Sequence, residues 1–155
     1  MAAFSERFTA AIRAQGNDGR GQELTLDGEL LPLEVEPGLA TALERLEPFG
    51  FGHAEPLFWV RGLRVGAKTR HVGDGHLKLD LQGDAGVALD AIAFGWADRV
   101  PLAAAIGQPI EVAAHVRRQD PRWGRGVQLV VMDLGAPESV STPAGPVARE
   151  RTEPA

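Results

Sequence analysis

The 155-residue sequence predicts a mainly β protein with short helices, in which a small α/β appendage precedes a five-stranded Greek-key barrel. Three observations predict it. From Leu57 onward, short runs alternate apolar and polar residues between glycine-bearing turns, the period-two signature of half-buried strands. Those runs come as three, then a short helical connection, then two more. The residues before Leu57 carry apolar stripes but too little chain to enclose a core, so they need a partner surface.

In the appendage, residues 1–47, Phe4, Phe8 and Ile12 recur every fourth residue with Ala11 beside them, the stripe of a short amphipathic helix that "QGNDGRG" ends. Leu24, Leu26 and Leu30 suggest one strand. Leu39, Leu43 and Leu46 fit a second short helix, with Glu36 before its first turn, Arg45 in its last, and Pro48 as its stop. Residues 48–56, "PFGFGHAEP", read as a hinge. Pro48 closes the helix, Gly50 and Gly52 allow a bend, and Pro56 favours an extended Glu55 entering the first strand.

The barrel is assigned to residues 57–135. Its first strand, Leu57 to Val72, slips out of phase between Val60 and Leu63, where Arg61 and Gly62 predict a bulge. Leu77, Leu79 and Leu81 share one face of the second strand, opposite His76, Lys78 and Asp80. Val87 to Phe94 forms the third, with its phase open around Asp90 to Ile92. "WADRVPLAAAIG" is a partly helical connection. Ile110, Val112, Ala114 and Val116, then Val127, Leu129 and Val131, mark the inner faces of the last two strands, joined by "RRQDPRWGRG". A long bent first strand with an insertion between the third and fourth is the order of an OB-type Greek-key barrel, although the pattern alone leaves other small barrels open. Residues 136–155, rich in Pro, Ala, Ser and Thr, read as a disordered tail.

Composition narrows the functional classes. With no cysteine, thiolate catalysis, disulfides and cysteine-ligated zinc are excluded, and a cytoplasmic location is the expectation. The opening residues form neither a signal peptide nor a membrane span. The net charge of −5 is unevenly spread: residues 57–133 carry ten cations against eight carboxylates, and acidic stretches flank them. His53, His71, His76 and His115 are too scattered for a metal site, "GFGH" and "GDGH" lack a phosphate-loop lysine, and Ser5, Ser139 and Ser141 lie in terminal segments. No catalytic or metal-binding residue is therefore assigned.

"LERLEPFGFGHAEPLFWV" resembles the segment leading into the C-terminal OB domain of RecJ, the bacterial single-strand-specific 5′→3′ exonuclease family of recombination and repair. Pro48, Phe49, Gly50, Gly52, Glu55 and Pro56 match that family's PFGxGNPEP-like run, with His53 and Ala54 in place of Asn and Pro. "HLKLDL", "LDAIAFG" and "RGVQLVVMDL" are similar to its second, third and fifth strands. "FSERFTAAIRA" and the Leu24 strand are similar to the end of the preceding DHH-associated domain. The resemblance implies that catalysis belongs to a DHH domain using Mg or Mn, whose triplet is absent from this sequence. This chain is then expected to need no cofactor and not to cleave DNA by itself. It would be a fragment, a shortened gene product or one half of a split nuclease.

Such a barrel binds single strands on the outer face of strands two and three and in the adjoining loops, through phosphate-neutralising cations and stacking rings. Lys68, Arg70, His76 and Lys78 are candidates from the first two strands, with His71 beside them. Arg117, Arg118, Arg122, Trp123 and Arg125 are candidates from the fourth-to-fifth-strand loop. Trp123 is the expected stacking ring, the competing reading being that it folds over the barrel's open end. Phe58, Trp59, Phe94 and Trp96 are expected in the core. The expected partner is single-stranded DNA. The alternative is a protein-docking role on a DHH nuclease core or another repair protein.

Overall fold

The computed structural model describes residues 24–137, and the expected helix around Phe4, Phe8 and Ile12 lies outside them, as does the tail beyond Pro137. In chain order the elements are β1 (Gly28–Leu30), a 3-10 turn (Pro32–Glu34), α1 (Pro37–Glu44), β2 (Phe58–Val65), β3 (Arg70–Val72), β4 (His76–Gly83) and a second 3-10 turn (Asp84–Gly86). β5 (Ala88–Ala93), α2 (Leu102–Ala105), β6 (Pro109–Arg118) and β7 (Val127–Gly135) complete it.

The sheet order is β1-β2-β6-β7-β5-β4-β3, and an added β2–β4 pairing closes β2, β6, β7, β5 and β4 into a five-stranded barrel. β5 and β7 run parallel while the other barrel pairs run antiparallel. This is the OB fold that the strand order predicts. Alternation places the core: Val60, Leu63, Val65, Leu77, Leu79, Leu81, Ile110, Val112 and Leu129 are almost wholly buried. Each such side chain contributes about 1.5–3 kcal/mol by leaving water. In β5, where the sequence left the phase open, Leu89, Ala91 and Ala93 point inward, and Asp90 and Ile92 outward.

The predicted bulge is present. The β2–β6 register shifts between Val60 and Leu63, and Arg61 and Gly62 both face outward, with Gly62 at φ 74°. A side chain would strain that left-handed backbone, whereas glycine adopts it freely.

Four expectations need correction. The long first strand is two strands, because residues 66–69 turn around Asp80: Gly66 N–H donates to Asp80 O at 2.6 Å, and Asp80 N–H donates to Thr69 Oγ1 at 3.0 Å. A Cβ on Gly66 would collide with the Asp80 side chain, so only glycine permits the approach. The second helix ends at Glu44, four residues before Pro48, and Leu46 is 48% exposed, so nothing apolar extends it. The Leu24 strand shrinks to Gly28–Leu30, which lies parallel to β2 as an added edge. Phe94 is 59% exposed and not in the core.

The appendage finds its partner surface on the barrel. Val35 and Ala40 are buried in the main core, and Leu30, Leu39 and Leu43 pack against it. Asp27 anchors the entry to β2: its N–H donates to Leu57 O, and its carboxylate accepts from Leu57 N–H, both at 2.8 Å.

The segment 48–56 is a turn tied at both ends. Gly50 and His53 exchange backbone hydrogen bonds of 2.8 and 3.0 Å. His53 Nε2 donates to Leu46 O at 2.7 Å, reaching back to the end of α1. At the barrel side, His115 Nδ1 donates to Pro56 O at 2.8 Å, and Arg117 grips Glu55 through two bonds of 2.7 and 2.6 Å. Phe51 stands fully exposed at the tip.

Candidate nucleic-acid interface

β3, β4 and β5 pair side by side, so residues of like parity line one outer face. Lys78 faces Arg70 on β3 and Ile92 on β5, and Asp80 faces Asp90. The β6–β7 loop folds back over this face. There Lys68, Arg70, Lys78, Leu79, Asp80, Asp90, Trp123, Gly124 and Arg125 line a cleft of about 270 Å³.

The loop is held down by specific bonds. Arg125 Nη1 donates to Asp90 Oδ1 at 2.6 Å, Arg125 N–H to Asp90 Oδ2 at 3.0 Å, and Lys78 Nζ to Trp123 O at 3.4 Å. Gly124 passes so close to Asp90 and Gln119 that a Cβ would overlap both side chains. Glycine at this place lets the backbone lie against β5 and presents the neighbouring Trp123 outward. Trp123 is 73% exposed, so it does not cap the barrel as the competing reading held.

Four cations share the cleft with two carboxylates. Asp80 is nearly buried and Asp90 mostly so, and both point at Arg125, whereas Lys68 and Arg70 form no ion pair among the described residues. The cleft thus combines exposed positive charge with an exposed indole, the two components that hold a polyanionic strand with stackable bases.

The structure brings together five of the nine predicted residues: Lys68, Arg70, Lys78, Trp123 and Arg125. Arg122 is not among the residues lining the cleft and is clamped to Asp120 in its own loop at 2.6 Å, which draws the Asp120 carboxyl below its ordinary range and the guanidinium above its own. Arg117 and Arg118 lie toward α1 and the 48–56 turn, paired with Glu55 and Glu44 respectively. His76 sits at the start of β4 on the same outer face as Lys78. Its Nδ1 accepts from Gly95 N–H at 3.2 Å, and its ring meets Phe94 in a T-shaped contact at 5.1 Å. Phe58 and Trp96 pack against the core, as expected of them. Trp59, expected there too, is partly covered without joining the core cluster, and Phe94 is the aromatic that is exposed instead. The one local signal for it was its position before Gly95, where the strand ends.

Among the described residues, no three His, Cys, Asp or Glu side chains stand close enough to hold a metal ion. The two carboxylates of the cleft, Asp80 and Asp90, are both engaged with Arg125. No described helix is long and apolar enough to cross a membrane.

A family model described as the RecJ OB domain matches residues 26–133. RecJ from Thermus thermophilus, solved in complex with Mn2+, is 28% identical over 68% of this chain, with a TM-score of 0.45. The same protein in complex with Mg2+ gives 26% over 67%, with a TM-score of 0.42. The chain spans 15% and 16% of those two chains. No curated protein matches it.

Proposed function

The chain belongs to the RecJ OB-domain family, and from that premise we propose that it is a non-catalytic single-stranded-DNA-binding module of a RecJ-like 5′→3′ exonuclease, acting in DNA recombination and repair in the cytoplasm. The observation that carries this reading is the convergence of Lys68, Arg70, Lys78 and Arg125 on an exposed Trp123 in one cleft. The cations neutralise phosphates without reading sequence, and the indole offers a face to any base. On this reading the domain adds grip on the strand, and cutting belongs to a DHH core. The donor set here does not fit a catalytic divalent metal, because its paired carboxylates already serve a guanidinium.

A second reading is a docking module for a DHH core or another repair protein. It is favoured by the exposed apolar side chains Leu31, Leu33 and Phe51 on the appendage and its connecting turn. The two readings separate in a salt titration with a labelled single-stranded oligonucleotide. DNA contact through this cleft gives affinity that falls steeply between about 50 and 200 mM salt as counterions return to the phosphates. Absence of binding at the low-salt end leaves the docking reading.

A further inference from the structure

We propose that Phe94, held by His76, is a second base-stacking platform for the single strand, placed one step along the β4–β5 face from the Trp123 cleft. The proposal rests on the DNA-binding reading above and names a contact that reading does not require.

Exposure and placement carry it together. Phe94 presents 59% of its surface to solvent, whereas Phe58, Trp59 and Trp96 are each partly covered. The pairings Lys78↔Ile92 and Leu77↔Ala93 put His76 and Phe94 on the outer face, two residues beyond Lys78 and Ile92. At the rise of a strand that is about 7 Å. Lys78 links the two places: it lines the cleft with Trp123, its ammonium donates to Trp123 O at 3.4 Å, and His76 and Phe94 follow it along the same face. A strand whose phosphate is held on Lys78 would have Phe94 within about two residues' rise of that contact.

The ring is also held in place. It stands at 79° to His76 with centroids 5.1 Å apart. The imidazole is fixed in turn by the Gly95 N–H bond to Nδ1, and Ala97 N–H donates to Gly75 O at 3.1 Å, tying the turn after Phe94 to the turn before β4. An exposed aromatic that is already ordered loses little freedom when a base stacks on it.

The test uses the full chain and labelled oligothymidylates of about two to about ten nucleotides at low salt, read by fluorescence anisotropy. Wild-type affinity should rise with length until the strand spans both platforms. Phe94→Ala should erase that rise, weakening the longer oligonucleotides about tenfold while leaving the shortest unchanged. Phe94→Trp should preserve the rise, and Phe94→Leu should lose it, because leucine keeps the apolar bulk but has no π face. Trp123→Ala should weaken every length. A Phe94→Ala protein with the wild-type length dependence overturns the second platform and leaves the parent reading standing, as does a Phe94→Leu protein that behaves like wild type. If the wild type binds no oligonucleotide at any length, the parent reading itself fails.

Discussion

Arg125 bridges two carboxylates that face each other across β4 and β5: its guanidinium lies 2.6 Å from Asp90 Oδ1 and 3.5 Å from Asp80 Oδ1. A phosphate bound in the cleft competes with both for the same cation. Asp90→Asn removes the closer competitor while keeping an acceptor for the Arg125 N–H. Binding at low salt should tighten, and the slope of log affinity against log salt should steepen by about one. An unchanged slope would show that Arg125 latches the loop and contacts no phosphate.

Trp123 is 73% exposed and contributes nothing to the core. Trp123→Ala should weaken single-strand binding by about 1–3 kcal/mol. Its denaturation midpoint should match the wild type, as for other surface substitutions. A drop in the midpoint instead would mean that the indole packs on the cleft wall.

Lys78 and Arg118 are both candidates in the sequence, and the structure sets them apart. Lys78 lines the cleft, while Arg118 pairs with Glu44 at 3.4 Å on the side of α1. Lys78→Gln should lower the salt slope by about one. Arg118→Gln should leave both affinity and slope unchanged. A reversed pattern would move the DNA path to the α1 side of the barrel.

The Glu55–Arg117 pair makes a pH-dependent contribution to stability. The paired hydrogen bonds from Arg117 hold the Glu55 carboxyl below its ordinary value of 4.5, against the opposing effect of burial and with help from the charges of His115 and Arg117. A carboxylate with a lowered folded-state pKa stabilises above the unfolded value, and the contribution is lost as pH falls through the folded one. Glu55→Gln should therefore cost about 1 kcal/mol near neutral pH, a modest figure because the Arg117 side chain is 54% exposed to screening solvent. The gap between the two proteins' denaturation midpoints should close at pH values below 4.5. A gap that persists in acid would mean that the loss is one of packing.

Much of the barrel was legible because strand alternation is a local property. Leu77, Leu79 and Leu81, or Ile110, Val112 and Ala114, declare their inner face within one short run, and the phase slip at Arg61 and Gly62 declares the bulge. The break at residues 66–69 was not legible, because the group that bends the chain there is Asp80 on the next strand. Phe94 was misplaced for a related reason. A terminal aromatic has no period of its own, and its burial depends on what crosses above it.

The site divides along the same line. Sequence by itself determined the residue types available for a single strand, a tryptophan and arginines in one glycine-bearing loop with lysines and an arginine on the strands before it. Only the tertiary structure decided which of them act together. Arg125 meets Asp90 from 35 positions away, Arg117 meets Glu55 from 62, and Arg118 meets Glu44 from 74. Such pairings form only when the barrel closes and the appendage folds onto it. Charge can be counted along a chain, but whether a cation is free or spent is set by the carboxylate that folding brings beside it.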